Sequence, residues 1–418
     1  MSGRTKDRLM IDLRPYITAG SGVWWGQGSA DPTPLVNTLL DQAEEIGPLR
    51  AFTGLTWNER LSDDLPPGLT MLSYGGLGEL RSLSRNGLLD VITCHYSSLP
   101  RMFARGQLPC DVGLLQVSTP DDEGMVSLGV GVEYVADAIP HTPILIAEIN
   151  HRMPATRGTP RLPLSSFVAT IETDRPLAEA PLRRPDQIER AIAANVADLI
   201  EDGDTIQIGV GSLPDAVLAA LSGHHDLGVH SGMVTDGVVD LIDQGVVTGA
   251  RKEIDRGVVV TGAALGTTRM YDRLGEVPIE FRPASYTHSP EVLARLGSLV
   301  SINAALEVDL YGQVGAEVRG GVHVGALGGQ VDFSRAASLT GARSIIALRS
   351  ELGSESTINL RLHDGVVTTP RVDVDAVVTE HGVALLAGCT VAERARRLID
   401  VAAPDHRDRL MREQGDSR

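Results

Sequence analysis

Residues 205–221 read TIQIGVGSLPDAVLAAL and contain the pattern that sets the architecture of the chain. Thr205 to Ile208 is a short apolar run of the kind found in buried strands, a glycine turn follows, and apolar residues then recur at helical spacing. Residues 184–201 show the same helical spacing. Comparable strand-like runs occur at residues 112–117, 143–147, 257–262, 344–348 and 376–379. Buried strands that alternate with helices are typical of parallel sheets, so the sequence predicts an α/β protein.

A second stretch repeats this pattern about half a chain earlier. Residues 26–29 read GQGS and lead into an apolar-periodic segment, as GVGS at residues 209–212 does. Glycines in such a turn either cradle a phosphate or permit positive φ and close packing, and the turn alone does not separate the two. The repeat predicts two related halves. Because the charged, proline-containing segment Ala178 to Pro185 is typical of a linker, we expect domains at residues 1–183 and 184–418.

Charge and composition exclude several classes of partner. The formal net charge of −17 over 418 residues disfavours nucleic acids and anionic membranes, since both reward clustered Lys and Arg. The N-terminus, MSGRTKDRLM, lacks the apolar segment of a signal peptide, and no apolar run long enough to span a membrane occurs. We therefore expect a cytoplasmic protein. No metal-ligand cluster and no nicotinamide-binding fingerprint is apparent, so we expect no metal site.

Three segments mix small residues with polar side chains that a core does not tolerate unpaired. They are LGVHSGMVTDGVVDLIDQGVVTG at residues 227–249, SINAALEVDLYGQVGAE at residues 301–317 and GALGGQVDFSRAAS at residues 325–338. We expect the functional site to be assembled from these segments.

Six blocks of the chain resemble, in the same order and at matching distances, the acetyl-CoA hydrolase/transferase family, which includes the 4-hydroxybutyrate/acetate CoA-transferases. The blocks are VSTPDDEGMVSLGV, GVGSLPDAVLAAL, HSGMVTDGVVDLIDQGVVTG, SINAALEVDLYGQVGAE, GALGGQVDF and TEHGVALLAGCTVAERARRLIDVAAPDHRDRL. The resemblance spans nearly the whole chain. It implies two similar open α/β domains of the NagB/RpiA/CoA-transferase-like fold, with the active cleft between them. It also implies a homodimer, acyl-CoA and a small-molecule acceptor as ligands, and no cofactor beyond CoA.

The chemistry of this class I CoA-transferase family is a relay through one glutamate. Its carboxylate attacks the acyl-CoA thioester, CoA returns to form a glutamyl-CoA thioester, and an acceptor carboxylate repeats the exchange in reverse. The resemblance places that glutamate in a His-Ser/Thr-Glu-Met turn. Here the turn is His230-Ser231-Gly232-Met233, so Gly232 stands at the glutamate position.

Three explanations of Gly232 remain open at this point. The chain passes the acyl group directly to water or another acceptor with a neighbouring polar group as base, or another carboxylate replaces the glutamate, or the glycine was engineered. The candidate carboxylates are Asp236, Glu307, Glu317 and Glu380. We predict acyl or CoA transfer from a short or medium acyl-CoA without a glutamyl-CoA intermediate. The alternatives are an acyl-CoA hydrolase and a non-catalytic CoA-binding paralogue.

Several individual residues are candidates for acid-base and supporting roles. Glu380 matches a glutamate that lines the family's cleft, although a position beside a helix N-terminus explains it equally well. Asp236 matches a family aspartate or simply caps a helix. His230 orients a nucleophile or is a structural histidine. Glu307 and Asp309 alternate along one strand and face the same side, so they either order the cleft or lie on an exposed edge.

The glycine loops are the expected binding elements. We expect the N–H groups of Gly325, Gly328 and Gly329 to form an oxyanion hole that Gln330 and Asp332 support, although positive φ would also explain glycine there. The turn residues that resemble a CoA-contacting element are Gly209, Gly211 and Ser212. Arg269 lies in a Gly-Thr-x-Arg-x-Tyr-Asp block, where it contacts a CoA phosphate or pairs with Asp272.

Overall fold

The first half of the chain is built on a parallel sheet. The computed structural model describes residues 11–181 and 183–416. The strands are β1 Gly22–Trp25, β2 Leu49–Phe52, β3 Leu69–Ser73, β4 Leu89–Val91, β5 Val112–Val117, β6 Ile144–Asn150 and β7 Ala169–Thr173. Their order is β4-β3-β2-β1-β5-β6-β7, and every neighbouring pair is parallel. All of β5 is buried, as expected for a central strand that is covered on both faces.

Helices connect these strands and cover the sheet. They are α1 Thr33–Ile46, α2 Leu80–Arg85, α3 Leu99–Ala104 and α4 Glu133–Ala138. The described residues of both halves also form short 3₁₀ helices of one turn each. These are Gly28–Ala30, Glu59–Leu61, Tyr96–Ser98, Ile139–His141, Leu164–Ser166, Leu221–Gly223 and Arg371–Asp373.

The second half repeats this architecture around another sheet. Its strands are β8 Thr205–Ile208, β9 Gly228–Val229, β10 Leu299–Ala304, β11 Arg343–Ala347, β12 Ala376–Thr379 and β13 Gly382–Leu385, in the order β9-β8-β10-β11-β12-β13. The pairs are parallel except for β13, which runs antiparallel to β12. The helices are α5 Gln187–Ala197, α6 Ser212–Ala220, α7 Asp236–Asp243, α8 Thr268–Tyr271, α9 Ala284–Thr287, α10 Pro290–Leu293, α11 Gln330–Thr340, α12 Val391–Asp400 and α13 Pro404–Asp416.

Short strands outside the two sheets shape the loops. They are Met125–Ser127, Arg161–Pro163, Met233–Val234, Val259–Thr261, Ala263–Ala264, Ile279–Phe281, Glu307–Asp309, Val314–Gly315, Val318–Arg319, Val322–His323, Glu351–Leu352, Glu355–Ser356 and Ile358–Asn359. No helix within residues 11–181 and 183–416 is both long and apolar enough to cross a lipid bilayer.

The predicted α/β architecture is confirmed. The predicted helix over residues 184–201 is shorter than expected, Gln187–Ala197, because a capping box of Asp186 and Glu189 fixes its start. The run at residues 257–262 does form a strand, but Val259–Thr261 pairs with Ile279–Phe281 outside the two main sheets.

The domain bounds 1–183 and 184–418 stay a prediction. β7 ends at Thr173, and α5 begins at Gln187. Residues 1–10, 182 and 417–418 lie outside the described residues.

Each glycine turn follows a strand at the carboxyl edge of its sheet. GQGS follows β1, and GVGS follows β8 and directly precedes α6. In open α/β sheets this edge is where ligands bind. The halves meet here: the N–H groups of Val132 and Glu133 donate to the carbonyl of Gly262 over 3.0 and 3.3 Å, and Ser29 Oγ lies 2.5 Å from Tyr271 Oη.

Candidate active site

The His-Ser-Gly turn lies at the carboxyl edge of the second sheet. Its first residue, His230, directly follows Val229, the last residue of β9. Ser231 Oγ donates to the carbonyl of Ile208 over 2.9 Å, which ties the turn to the end of β8. The N–H of Gly262 donates to the carbonyl of Gly232 over 3.0 Å. The turn therefore stands beside the GVGS turn and faces the boundary between the halves.

The imidazole of His288 fills the space into which a side chain at position 232 would project. A Cβ on Gly232 would lie 2.8 Å from His288 Cε1 and 2.9 Å from His288 Nε2. A Cβ on Gly329 would meet the same Nε2 even more closely. Both positions therefore require glycine while the ring is in place, and Nε2 lies between their two backbones.

The His288 ring is held on several sides. Its centroid lies 4.5 Å from that of Tyr96 and 4.9 Å from that of Phe333, and the residue is 4 % exposed. Nδ1 lies 2.9 Å from Thr287 Oγ1. Thr287 Oγ1 also lies 3.3 Å from the carbonyl of Pro283, and a hydroxyl that donates to this carbonyl accepts from Nδ1–H. That arrangement places the proton on Nδ1 and the lone pair on Nε2, beside Gly232.

The charge state of His288 follows from its burial. Burial lowers the pKa of His288 to about 3, and neighbouring His230 contributes in the same direction. The imidazole is therefore neutral in the physiological range. A neutral imidazole, and not a carboxylate, occupies the volume next to Gly232.

His230 lies behind this arrangement. It is fully buried, and its Nε2–H donates to the carbonyl of Thr287 over 3.0 Å, while Nδ1 has no partner among the described residues. Burial lowers the pKa of His230 to about 4, so this ring is also neutral. His230 fixes the main chain one residue before His288. Its predicted role of orienting a nucleophile stays a prediction.

A buried carboxylate lies across the boundary from Gly232. Glu133, the first residue of α4, accepts hydrogen bonds from Tyr96 Oη over 2.5 Å and from Gln27 Nε2. Burial raises the pKa of Glu133 to about 7, against the effect of these two bonds. Tyr74 Oη donates to Gln27 Oε1 over 2.7 Å. The group Gln27, Tyr74, Tyr96 and Glu133 is called the buried polar cluster below, and Tyr96 connects it to His288.

Neither His288 nor Glu133 was predicted from the sequence as a site residue. An acid within the apolar run LGVGVEYVADA is a signal that could have identified Glu133. His288 lies outside the six quoted blocks, and no periodicity connects it with Gly232. The contact depends on the packing of three distant chain segments.

The loop at residues 325–329 bridges the two halves. The N–H of Gly76 donates to the carbonyl of Gly325 over 3.1 Å, and the N–H of Tyr96 donates to the carbonyl of Gly328 over 3.0 Å. Gly328 has φ of +52° and open space where a side chain would stand, so its glycine satisfies a backbone requirement. The prediction for Gly325 is wrong: its N–H donates to the carbonyl of Glu317 over 3.1 Å and is not free for an oxyanion.

Two residues at the start of α11 anchor this loop. Asp332 accepts from the N–H and the hydroxyl of Ser97, over 3.1 and 2.6 Å, and so joins the halves. Gln330 Nε2 donates to Thr369 Oγ1 over 3.0 Å within the second half. Both contacts suit the predicted supporting role. Gly328 and Gly329 remain the predicted oxyanion-hole donors.

The GVGS turn is open toward solvent. No atom lies within 4 Å of the place where a Cβ on Gly209 would stand, and Gly211 has φ of +123° at the N-cap of α6. Ser212 Oγ donates to Glu189 over 2.7 Å. A cavity of about 480 Å³ beside the turn is lined by Val210, Gly211, Asp215, Asp236, Asp240 and Gly266 among others. The CoA-contacting role of the turn stays a prediction.

Asp236 and Arg269 are paired with protein groups. Asp236 accepts from the N–H and the hydroxyl of Thr267, over 2.9 and 2.7 Å. Arg269 binds Asp240 with both terminal nitrogens, over 2.5 and 3.1 Å, and lies 3.3 Å from Asp236. The suggested pairing with Asp272 is therefore wrong, because the start of α7 presents two carboxylates to the guanidinium.

Glu380 lies far along the sheet from Gly232. It follows β12, and its carboxylate accepts from the N–H and the hydroxyl of Ser350 over 3.0 and 2.7 Å. β12 stands four strands from β9 in the sheet order, about 19 Å at the usual interstrand spacing. The structure does not bring Glu380 and Gly232 together.

The other candidate carboxylates are satisfied by local partners. Glu307 lies 2.9 Å from His363 Nδ1 and accepts from the N–H of His363 and from Asn359 Nδ2. Glu317 accepts from Thr368 Oγ1 over 2.8 Å, and Asp309 accepts from two N–H groups of the turn that follows it. Glu307 and Asp309 are buried, so the suggested exposed edge is wrong.

The fold and the site together define an α/β enzyme whose candidate site lies between two related halves. The acetyl-CoA hydrolase/transferase N-terminal domain model matches residues 12–174, and the C-terminal domain model of the same family matches residues 266–414. The chain therefore belongs to the acetyl-CoA hydrolase/transferase family.

Individual relatives agree with this assignment. The 4-hydroxybutyrate coenzyme A transferase of Clostridium kluyveri is 40 % identical over 80 % of this chain and 80 % of its own length. The succinyl-CoA:cyclohexane-1-carboxylate CoA transferase of Geobacter metallireducens is 37 % identical over 96 % and 93 %. The crystal structure of RipA from Yersinia pestis superposes with a TM-score of 0.91 at 35 % identity, over 97 % of this chain and 96 % of that one.

Proposed function

We propose that this enzyme cleaves short or medium acyl-CoA thioesters and passes the acyl group directly to an acceptor, without a glutamyl-CoA intermediate. The observation that carries the proposal is the neutral His288 ring in the space beside Gly232. The family resemblance predicts the carboxylate of the relay at this position. Two of the relatives reported above are named as CoA transferases, which supports an acyl-CoA donor.

The remaining parts of the site suit thioester chemistry without a covalent step. N–H groups of Gly328 and Gly329 at the boundary between the halves would stabilise the oxyanion that forms at the thioester carbonyl. Burial of the surrounding side chains strengthens such electrostatic contacts, since few water dipoles compete. Water is the second candidate acceptor, because an unprotonated imidazole nitrogen is available near the cleft.

The test follows the fate of the acyl group and of the protein. The purified enzyme is incubated with acetyl-CoA and butyryl-CoA, and free thiol and intact-protein mass are recorded. We expect thiol release by the parent with no CoA adduct on the protein. An adduct that gains the mass of CoA would contradict the proposal, and absence of thioester consumption with every acyl-CoA would favour a non-catalytic CoA-binding role.

We also propose where the enzyme is located, how it oligomerises and which cofactor it uses. A cytoplasmic homodimer that uses CoA and no other cofactor fits the family assignment and the acidic composition. Light scattering during size-exclusion chromatography measures the oligomeric state directly. A monomer at micromolar concentration would remove the homodimer from the proposal.

A further inference from the structure

We propose that Nε2 of His288 is the general base that deprotonates the acyl acceptor, so that the acceptor is water or a hydroxyl compound and not a carboxylate. This inference rests on the proposed function, since it requires direct transfer from the thioester. It names the chemical class of the second substrate.

The position of His288 Nε2 at the candidate site supports its role as the base. Nε2 lies between the backbones of Gly232 and Gly329, and a side chain at either position would strike it. The glycine at position 232 therefore leaves the room that the ring occupies and brings a basic nitrogen against the backbone of the turn. Gly329 is also one of the two remaining candidates for the oxyanion hole, so the base and the oxyanion donor would face the same carbonyl.

The proton arrangement is the second support. When Thr287 Oγ1 donates to Pro283 it accepts from His288 Nδ1–H, which leaves Nε2 free to take a proton. His230 donates to the carbonyl of Thr287 over 3.0 Å. These contacts hold the ring in place, and general-base catalysis requires the basic nitrogen within hydrogen-bond reach of the proton that it takes.

Burial and His230 both disfavour the imidazolium that forms during the step, so the contact with Tyr96 of the buried polar cluster has to offset part of this cost. The titratable groups that face His288 are His230 and Tyr96, with Glu133 behind Tyr96. The Tyr96 ring lies 4.5 Å from the imidazole centroid, within the range at which an aromatic face attracts a cation. Its hydroxyl donates to Glu133, whose carboxylate adds negative potential to the ring.

The step conserves atoms and protons. The acceptor oxygen attacks the thioester carbonyl carbon while Nε2 takes the acceptor's proton, and a C–O bond forms. The tetrahedral intermediate then expels the CoA thiolate as the C–S bond breaks, and the imidazolium returns the proton to sulfur. The products are CoA thiol and an acid or an ester. A carboxylate acceptor carries no proton for Nε2 to remove, so the base gives it no advantage.

The experiment combines acceptor choice with variants of His288. Release of thiol from butyryl-CoA is measured in buffer, with ethanol and with labelled acetate, for the parent, His288→Asn and His288→Gln. His224→Asn is the matched control, because His224 precedes β9 at the opposite edge of the sheet and bonds the carbonyl of Ile200. For the parent we expect butyrate or its ethyl ester as product and no labelled acetyl-CoA. Both His288 variants should lose about 100-fold or more in kcat at unchanged CoA affinity. His224→Asn should resemble the parent.

Each contrary outcome has a distinct meaning. Thiol release by His288→Asn within about threefold of the parent overturns the base and leaves the proposed function standing. Labelled acetyl-CoA formed faster than hydrolysis overturns the acceptor class. A parent that consumes no thioester overturns the proposed function itself.

A second pair of variants covers the case in which the His288 variants fail to fold. Thr287→Val removes the acceptor for Nδ1–H in a residue of similar shape, and Thr287→Ser keeps the hydroxyl. If tautomer control matters, Thr287→Val loses about tenfold or more in kcat with little change in KM, and Thr287→Ser restores most of it. Equal activity of the two variants overturns the inference.

Discussion

Gly232 and His288 share one volume, so substitutions at the two positions are coupled. A Cβ at position 232 would stand 2.8 Å from a ring that Tyr96 and Phe333 hold in place. We expect Gly232→Glu alone to lower the free energy of unfolding by about 1–3 kcal/mol through overpacking, and not to produce acyl exchange with acetate. Urea unfolding and labelled-acetate exchange measure the two effects.

The double variant Gly232→Glu/His288→Ala separates the steric clash from the effect of a carboxylate at position 232. Removal of the ring leaves room for the glutamate, so the double variant should be more stable than the sum of the single variants and should gain acyl exchange. His288→Ala alone is the control. Strictly additive stabilities would show that the two side chains do not compete for space.

The raised pKa of Glu133 predicts that the stability of the folded chain falls as pH rises. Its pKa is raised from 4.5 to about 7 by burial. Below pH 4.5 the group is protonated in both folded and unfolded chains. Between pH 4.5 and pH 7 the unfolded chain loses its proton first, so the contribution of Glu133 to stability falls as pH rises. The stability lost between these two pH values is about 3 kcal/mol.

The isosteric variant Glu133→Gln should remove this component. Its free energy of unfolding, relative to that of the parent, should rise between pH 4.5 and pH 7 and stay level above it. Urea titrations across this range for both proteins measure the difference. Parallel pH profiles would mean that Glu133 is ionised throughout the range in the folded protein.

At the scale of elements, the segment from Gly325 to Asp332 holds the site together. Asp332→Ala would leave the N–H and the hydroxyl of Ser97 without their acceptor, at a cost of about 1–3 kcal/mol. Because this contact joins α11 to the first half, we also expect faster amide exchange at residues 95–98. Hydrogen exchange with mass spectrometry tests this, with Gln330→Ala as the control that breaks a contact inside the second half. Equal protection in both variants would contradict the bridging role.

Elements with strong local signals could be predicted, while contacts between elements could not. β5, β8 and β12 have the bounds of their apolar runs, since an unbroken buried run leaves the chain little choice. Asp236 does stand at the start of α7, but its bonds run to Thr267 in another segment, and local position does not predict them. The encounter of Gly232 with His288 depends on how separate segments pack at the sheet edge, and periodicity holds no information about it. Glu380 illustrates the same limit, because sheet order places it four strands away.

At the scale of the whole molecule, the two halves share buried structure. One hydrophobic cluster contains Trp24 and Phe52 from the first sheet region together with Ile206 and Ile345 from the second. The buried polar cluster lies in the first half, yet it packs against His288 of the second. If the two halves separated, Glu133 and its partners would face water on one side. The repeated architecture therefore does not imply two independent folding units.

We expect the chain to unfold in a single cooperative transition, because separation of the halves would expose part of a common core. Differential scanning calorimetry should give one peak whose calorimetric enthalpy equals the van't Hoff enthalpy for the cooperative unit. Glu133→Gln, a change confined to the first half, should shift the whole peak rather than one part of it. Two resolved peaks, of which the variant moves only one, would show that the halves fold separately and that the site forms when they dock.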